Sequence, residues 1–105
     1  MLYDGELTRW RRTRAGYSRE VFRARVEEGC PAAFGAVQSL SGGSSDAEAL
    51  RAYAVGNPDI APGDYVAPGA RGEADPSDAP GVRRVVLATA YTLGGVPHHV
   101  EVKAR

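Results

Sequence analysis

The fold is decided by residues 82–105, which read VRRVVLATAYTLGGVPHHVEVKAR. From Val82 to Tyr91, apolar side chains occupy both sets of alternating positions, as in a strand that lies centrally in a sheet. The turn signal Leu93-Gly94-Gly95 follows, and the last residues alternate cleanly. The stretch therefore predicts two strands joined by a tight turn. In the first strand, one face is expected to carry Val85, Leu87, Thr89 and Tyr91. In the last strand, the inner face is expected to carry His98, Val100, Val102 and Ala104.

A second hairpin is predicted near the N-terminus, with strands from Glu6 to Thr13 and from Tyr17 to Glu27. Trp10 and Val21 are typical strand residues, and Gly16 tolerates a positive φ at the turn. Arginines are spread through both strands, as expected of a sheet with one exposed face.

Local rules leave two stretches between the hairpins open. Residues Gly29 to Ser45 carry no charge and are rich in Gly, Ser and Ala, which predicts a long flexible loop, with one helical turn packed on the barrel as the alternative. In Asp46 to Val55, a capping box and several alanines favour a short helix. Alternation from Leu50 onward favours a strand instead.

The middle of the chain is rich in turn signals. Two Pro-Gly pairs between residues 57 and 69 mark reversals and leave room for a very short strand at Tyr65 and Val66. Asp59 and Asp64 flank one turn, and we interpret them as turn-capping residues rather than as an acid/base pair. The polar run from Ala70 to Gly81 is predicted to be a mobile acidic loop.

These elements predict a mostly β chain. We expect one domain over residues 1–105, a small antiparallel β-barrel of about five strands with long loops at about 29–45 and 67–81 and room for one short helix. A domain this small has a modest reserve of stability, so oligomerisation is expected. Its formal net charge is zero, with basic ends and an acidic middle, which suits either solvated faces or subunits that meet through unlike faces.

The sequence predicts no catalytic residue, no cofactor and no metal. His98 and His99, the two histidines, are strand neighbours and are expected to point to opposite faces, with His98 inside and His99 on the surface. Cys30 is the single cysteine, and an inert thiol is the favoured interpretation. The N-terminus lacks the pattern of a signal peptide, and no apolar run approaches the roughly 20 residues that span a bilayer. We therefore expect a soluble cytoplasmic product.

The segment IAPGDYVAPG at residues 60–69 resembles the "Gly-Asp, two apolar residues, x, x, Gly" signature of phage minor capsid proteins, the head-closure or stopper proteins of tailed bacteriophages. The N-terminal hairpin, the long loop, and a His before an alternating last strand follow the order usual in that family. The Ala-rich stretch before Asn57 departs from it, because the family has a β-rich segment there. Four residues form the structural turn motif of the resemblance: Pro62, Gly63, Asp64 and Gly69.

The resemblance implies a structural protein of the phage neck, assembled in the host cytoplasm and carried in the virion. Members form a dodecameric ring below the portal and adaptor and above the tail proteins, with packaged DNA in the channel and no sequence-specific binding. The channel loop would then be Gly29 to Ser45, with these residues as its candidates: Gln38, Ser39, Leu40, Ser41, Gly42, Gly43, Ser44 and Ser45. Four residues of the first strand are candidates for ring interfaces: Arg9, Trp10, Arg11 and Arg12.

Other functions stay open at this point. An adaptor or a tail-completion subunit is the nearest alternative among phage proteins. A small nucleic-acid-binding barrel is a second, with Trp10 and Tyr17 available to stack bases beside the arginines. A hydrolase or metalloenzyme is disfavoured because no set of His, Cys and carboxylate residues converges in the sequence pattern.

Overall fold

The computed structural model describes residues 3–28 and 50–105, and these form a closed antiparallel barrel of six strands. The neighbours around the barrel are β1-β2-β3-β6-β5-β4. The predicted mostly β barrel is confirmed, with six strands in place of about five. The elements are β1 Gly5–Thr13, β2 Gly16–Glu28, β3 Leu50–Val55, β4 Tyr65–Pro68, β5 Arg83–Leu93 and β6 Val96–Ala104, with a short 3-10 turn at Pro76–Asp78.

The antiparallel pairing gives the barrel two different ends. The turns of the β1-β2 and β5-β6 hairpins lie at one end, which we call the hairpin end, together with residues 56–64 that join β3 to β4. The opposite end, called the loop end, holds the end of β2 at Glu28, the start of β3 at Leu50 and the connection from β4 to β5. Each end therefore gathers connections that are far apart in sequence.

Small apolar side chains fill the barrel. Val100, Val102 and Ala104 alternate inward along β6, as predicted. Narrow barrels have room only for side chains of limited size, which suits the alanines of β2, β3 and β6. The interior cluster also receives Ile60 from the segment that crosses the hairpin end. Its buried members are Leu7, Ala24, Leu50, Ala52, Ala54, Ile60, Val66, Val85, Val100, Val102 and Ala104.

Residues Leu50–Val55 form strand β3, so the strand interpretation of this stretch is correct for the residues that the structure describes. The helical signal fails there because Leu50, Ala52 and Ala54 are fully buried and β3 pairs with β2 on one side and β6 on the other. Burial and two ladders of hydrogen bonds outweigh the helix propensity of alanine.

Strand β5 differs from its predicted pattern. The pairing with β6 shifts between Val85 and Leu87, so an additional residue is inserted at Val86. Val85 remains inside, but Leu87 is 46% exposed and Ala88 packs against the core instead. The prediction that Val85, Leu87, Thr89 and Tyr91 share one face is therefore wrong, because a β-bulge reverses the alternation that follows it.

Candidate functional site

A polar cluster secures the segment that crosses the hairpin end. The Arg11 guanidinium donates from Nε to Asp64 Oδ1 at 3.0 Å and from Nη2 to Asp64 Oδ2 at 2.8 Å, and it also donates to the Asp59 carboxylate at 2.7 and 3.0 Å. The hydrogen bonds that Arg11 donates to Asp64 and Asp59 raise the pKa of Arg11 above its usual range, and the same hydrogen bonding and the charge of Arg11 lower the pKa of Asp59. A carboxyl with a lowered pKa is a poor general acid near neutral pH, so this geometry is that of an anchor.

The turn motif of residues 62–69 is built around Asp64. Its Oδ2 accepts the Ala61 N–H at 2.9 Å, which confirms the predicted turn-capping role, and its side chain is almost entirely buried. Gly63 has a φ of 96° and donates its N–H to the Val85 carbonyl at 2.9 Å. Gly69, with a φ of 86°, donates to the Glu6 carbonyl at 2.7 Å. Asp59 differs from the prediction, because its carboxylate binds Arg11.

Arg9 is buried on the inner side of β1. Its Nη1 donates to the Asp59 carbonyl at 2.7 Å, its Nη2 lies 3.7 Å from the Glu20 carboxylate, and its guanidinium carbon lies 5.9 Å from the centre of the Phe22 ring. Only 4% of the residue is exposed. Arg9 and Arg11 therefore both hold the strand β1 to the residues that cross the hairpin end.

Trp10 points to the other side of β1 and is covered by the connection between β4 and β5. It is fully buried against Ala67 and Ala79, and its Nε1–H donates to the Glu73 carbonyl at 2.7 Å. The Thr8 hydroxyl donates to the Gly69 carbonyl and accepts the Arg71 N–H. The prediction of a mobile loop from Ala70 to Gly81 does not match these anchors. Its composition is polar, but it covers an indole that would otherwise lie in solvent.

The same connection contains one short, capped turn. The Asp75 side chain accepts the Ser77 N–H at 2.9 Å at the start of the 3-10 turn Pro76–Asp78. The hydrogen bonds from Ser77 lower the pKa of Asp75. Pro76 is buried, so the turn also adds apolar contact to the cover.

Of the four interface candidates in β1, only Arg12 is exposed. Arg9 and Trp10 are buried within the chain, and Arg11 is partly buried and bound to two aspartates. Exposed Arg12, Arg14 and Arg19 still give the tip of the β1-β2 hairpin a basic character.

The β5-β6 hairpin bears an exposed apolar surface that the sequence pattern does not predict. Leu93 is 71% and Val96 is 64% exposed, and they face each other across the turn at Gly94-Gly95. Both glycines have a positive φ, which this two-residue turn requires. No charged residue occurs from Val86 to Pro97. The uncharged run is visible in the sequence, but its apolar residues at both sets of alternating positions predict a central strand rather than an exposed one.

The two histidines meet, contrary to the prediction that they point to opposite faces. Their Nδ1 atoms lie 2.8 Å apart, and His99 stacks on Tyr91 at 4.9 Å between ring centres. His98 is exposed, so its predicted inner position is also wrong. The cause is a second irregularity in register: Tyr91 pairs with His99 and Thr92 with Pro97, which leaves His98 without a partner in β5 and lets its ring turn toward His99.

The channel-loop candidates Gln38 to Ser45 and the thiol of Cys30 lie outside the described residues. Glu28 and Leu50, which flank this part of the chain, both lie at the loop end of the barrel. Any loop that residues 29–49 form is therefore attached at the end opposite to the two hairpin turns.

Within residues 3–28 and 50–105, no three or more His, Cys, Asp or Glu side chains are grouped so that they could hold a metal ion. The same residues contain no helix that is long and apolar enough to cross a membrane. Comparison with known proteins found no matching family model, no matching curated protein and no matching solved structure.

Proposed function

We propose that the chain is a non-enzymatic subunit of the ring that connects the head and the tail of a bacteriophage. In this role it closes the portal channel, retains the packaged DNA and offers a docking surface to the tail. The proposal is motivated by the resemblance of residues 60–69 to the Gly-Asp signature of phage head-closure proteins. The closed barrel, in which the Gly-Asp turn is a structural anchor, is compatible with it.

The observation that carries the proposal is the exposed apolar hairpin β5-β6. Leu93 and Val96 lie in the open at its tip, and Leu87 and Tyr91 are nearly half exposed along its length. Apolar groups concentrated in one projecting element favour contact with another protein, whereas scattered ones are ordinary. A connector subunit must contact neighbours on several sides, and this hairpin supplies one such contact.

The two-ended barrel supports the same proposal. Residues 29–49 are attached at the loop end, and the apolar hairpin projects at the hairpin end. A channel loop and a docking hairpin would then occupy opposite ends of one subunit. Such a division lets the loop act on DNA while the hairpin contacts protein.

A nucleic-acid-binding barrel is the second candidate, and the basic tip of the β1-β2 hairpin favours it. Arg12, Arg14 and Arg19 are exposed there. Binding of single strands normally combines such charge with aromatic rings that stack on bases. Trp10 is fully buried, however, and Tyr17 packs edge-on against Tyr65. The stacking partners that the sequence suggested are therefore engaged within the chain.

The test uses phage heads that carry a portal and an adaptor but no tail. The purified chain is added, and the vertex is imaged by electron cryomicroscopy with symmetry averaging. We expect a ring of the chain at the portal vertex, and heads that then retain their DNA. If the chain leaves the heads unchanged but binds single-stranded DNA with an affinity that falls steeply with salt, the nucleic-acid candidate replaces this proposal.

A further inference from the structure

Among residues 3–28 and 50–105, two strands of the barrel have edges that no other strand covers. Residues Tyr17–Arg23 of β2 pair with β1 on one side and have no strand on the other among the described residues, because β3 reaches only Ala24. In the same described part of the chain, β5 from Val86 to Leu93 pairs with β6 only, because β4 reaches no further than Arg83 and Arg84. An open edge presents unpaired N–H and C=O groups that can form hydrogen bonds with another strand.

The hydrogen bonds at the ends of these strands show which backbone groups point toward the uncovered edges. Arg105 and Arg84 exchange backbone hydrogen bonds, and Gly69 donates to the Glu6 carbonyl on the β4 side of β1. Successive residues of a strand direct their backbone groups to opposite sides. The strand registers continue outward from these bonds. The backbone N–H and C=O groups of Ala88 and Ala90 point away from β6, and those of Val21 point away from β1.

The edges are placed for a chain of subunits. Strands β2 and β5 are three steps apart in either direction around the six-stranded barrel, so their edges lie on opposite sides of it. Both edges extend toward the hairpin end, and the two strands run in opposite directions. A rotation about an axis parallel to the barrel axis leaves the direction of every strand unchanged. In neighbouring copies related by such a rotation, β2 of one copy and β5 of the next are therefore antiparallel, which is the more stable pairing.

Charge and edge protection select this pairing. Natural edge strands are usually protected by charges, proline or bulges, and β5 has none of these from Leu87 to Tyr91, between its two irregularities. Pairing of β2 with another β2 about Val21 would set Arg19 opposite Arg23, and like charges in that position are destabilising. Pairing of β2 with the uncharged β5 edge avoids this repulsion.

We infer that a second copy of this chain covers each edge: Tyr17–Arg23 of β2 adds to Val86–Leu93 of β5 in the neighbouring copy, head to tail. The inference extends the proposed function, since it names the surfaces by which ring subunits meet. Contacts on opposite sides of a subunit generate an open chain or a large ring rather than a closed dimer.

The experiment uses two variants that each block one edge. Val21→Pro and Ala90→Pro remove an N–H that faces outward and leave the hydrogen bonds within each hairpin in place, since proline is tolerated on edge strands. Val21→Thr and Ala90→Thr are the matched controls, because they change the side chain and keep the N–H. Native mass spectrometry and sedimentation velocity then measure the mass of each protein across its soluble concentration range.

The expected results are specific to head-to-tail contact. Wild type and both Thr variants form assemblies larger than a dimer, and each Pro variant alone is monomeric. A mixture of the two Pro variants forms a one-to-one dimer, because one partner retains an intact β5 edge and the other an intact β2 edge. The dimer also demonstrates that both variants are folded. In the monomeric Ala90→Pro variant, the Val21 amide exchanges its hydrogen quickly.

Several outcomes would overturn the inference. The first is a wild type that is monomeric at every concentration, and the second is a pair of Pro variants that assemble like wild type. The third is a Val21→Pro variant that dimerises on its own. The fourth is slow hydrogen exchange of the Val21 amide in the monomer, because it would show that the chain covers its own edge. Binding of the same proteins to tailless heads tests the proposed function separately. A ring on heads that survives both Pro substitutions refutes the edge contact alone, and head-to-tail assemblies that ignore heads refute the connector role alone.

Discussion

Replacing the buried carboxylate of Asp64 by an amide tests whether the Arg11 cluster holds the barrel together. Asp64 accepts two hydrogen bonds from Arg11 and one from the Ala61 N–H, and only 7% of its side chain is exposed. In Asp64→Asn the amide nitrogen must face at least one of these donors, and the charge of Arg11 loses its buried counterion. The exposed Asp59, whose carboxylate binds the same guanidinium, provides the matched control as Asp59→Asn.

The size of the loss follows from the contacts. A hydrogen bond to a charged group contributes about 1.5–3 kcal/mol, and breaking a buried ion pair costs about 3–5 kcal/mol. Arg11 is one-third exposed and keeps Asp59, so the lower part of this range applies. We expect Asp64→Asn to lower the free energy of unfolding by about 2–3 kcal/mol, which at an m-value of about 1.5 kcal/mol/M moves the urea midpoint down by about 1.3–2 M.

The assay is equilibrium urea unfolding followed by circular dichroism and by the fluorescence of Trp10, the single tryptophan, at one fixed protein concentration. Coincident transitions from the two probes establish two-state behaviour. Asp59→Asn should shift the midpoint much less than Asp64→Asn, since its carboxylate is in solvent. If the two variants lose equal stability, or if Asp64→Asn unfolds within about 0.5 kcal/mol of wild type, a range typical of neutral surface changes, the cluster is not an anchor.

Four further results are expected. Trp10→Phe should cost about 2 kcal/mol, through a lost hydrogen bond and a smaller ring, and should make residues 69–82 a site of early proteolysis; unchanged cleavage would contradict the cover described for the indole. Because the pKa of Asp59 is lowered in the folded chain, its stabilising contribution is present above its unfolded pKa and is lost as pH falls through the lower folded value. Asp59→Asn should therefore flatten the dependence of the free energy of unfolding on pH in that acidic range. An unaltered dependence would refute the contact between Asp59 and Arg11 as its cause. Deletion of residues 39–44 should leave ring assembly intact but let DNA leak from heads, measured by nuclease accessibility, and full retention would count against the channel loop. Leu93→Ser should keep the urea midpoint but weaken attachment to heads or tails, whereas Thr92→Ser, at the next position, should leave attachment unchanged.

The sequence pattern is sufficient to predict the two hairpins, because the signals that specify their strands and turns lie within each hairpin. The alternation of Val100, Val102 and Ala104 and the glycines at 94 and 95 specify strand and turn without reference to the remainder of the chain. For β3, local signals gave two answers, and the tertiary pairing with β2 and β6 decided between them. Alanine favours helices in isolation, but a narrow barrel needs its small side chain.

The candidate surfaces were less accessible to sequence reasoning. The bulge at Val86 reverses the facing of the β5 residues after it, and the irregularity at His98 brings the two histidine rings together, yet no local residue signal marks where either irregularity will occur. The contact between Arg11 and Asp64 joins residues 53 positions apart, so it depends on the closed barrel. The spacing of the arginines in β1 predicts one exposed face, but Arg9 and Arg11 bind groups at the hairpin end and only Arg12 is fully available at the surface.

The order of strands around the barrel also has a consequence for how the protein is made. Strand β6, at residues 96–104, lies between β3 and β5 in the barrel but is the last of the six barrel strands in chain order, so it is synthesised after the other five. The β1-β2 hairpin can form early, but β3 lacks one of its two neighbours until translation has passed residue 104. Because pairing between distant segments is slow, a nascent chain would expose the inner faces of β2 and β3 during this interval. Premature termination within β6 should therefore yield an aggregation-prone product rather than a shorter barrel.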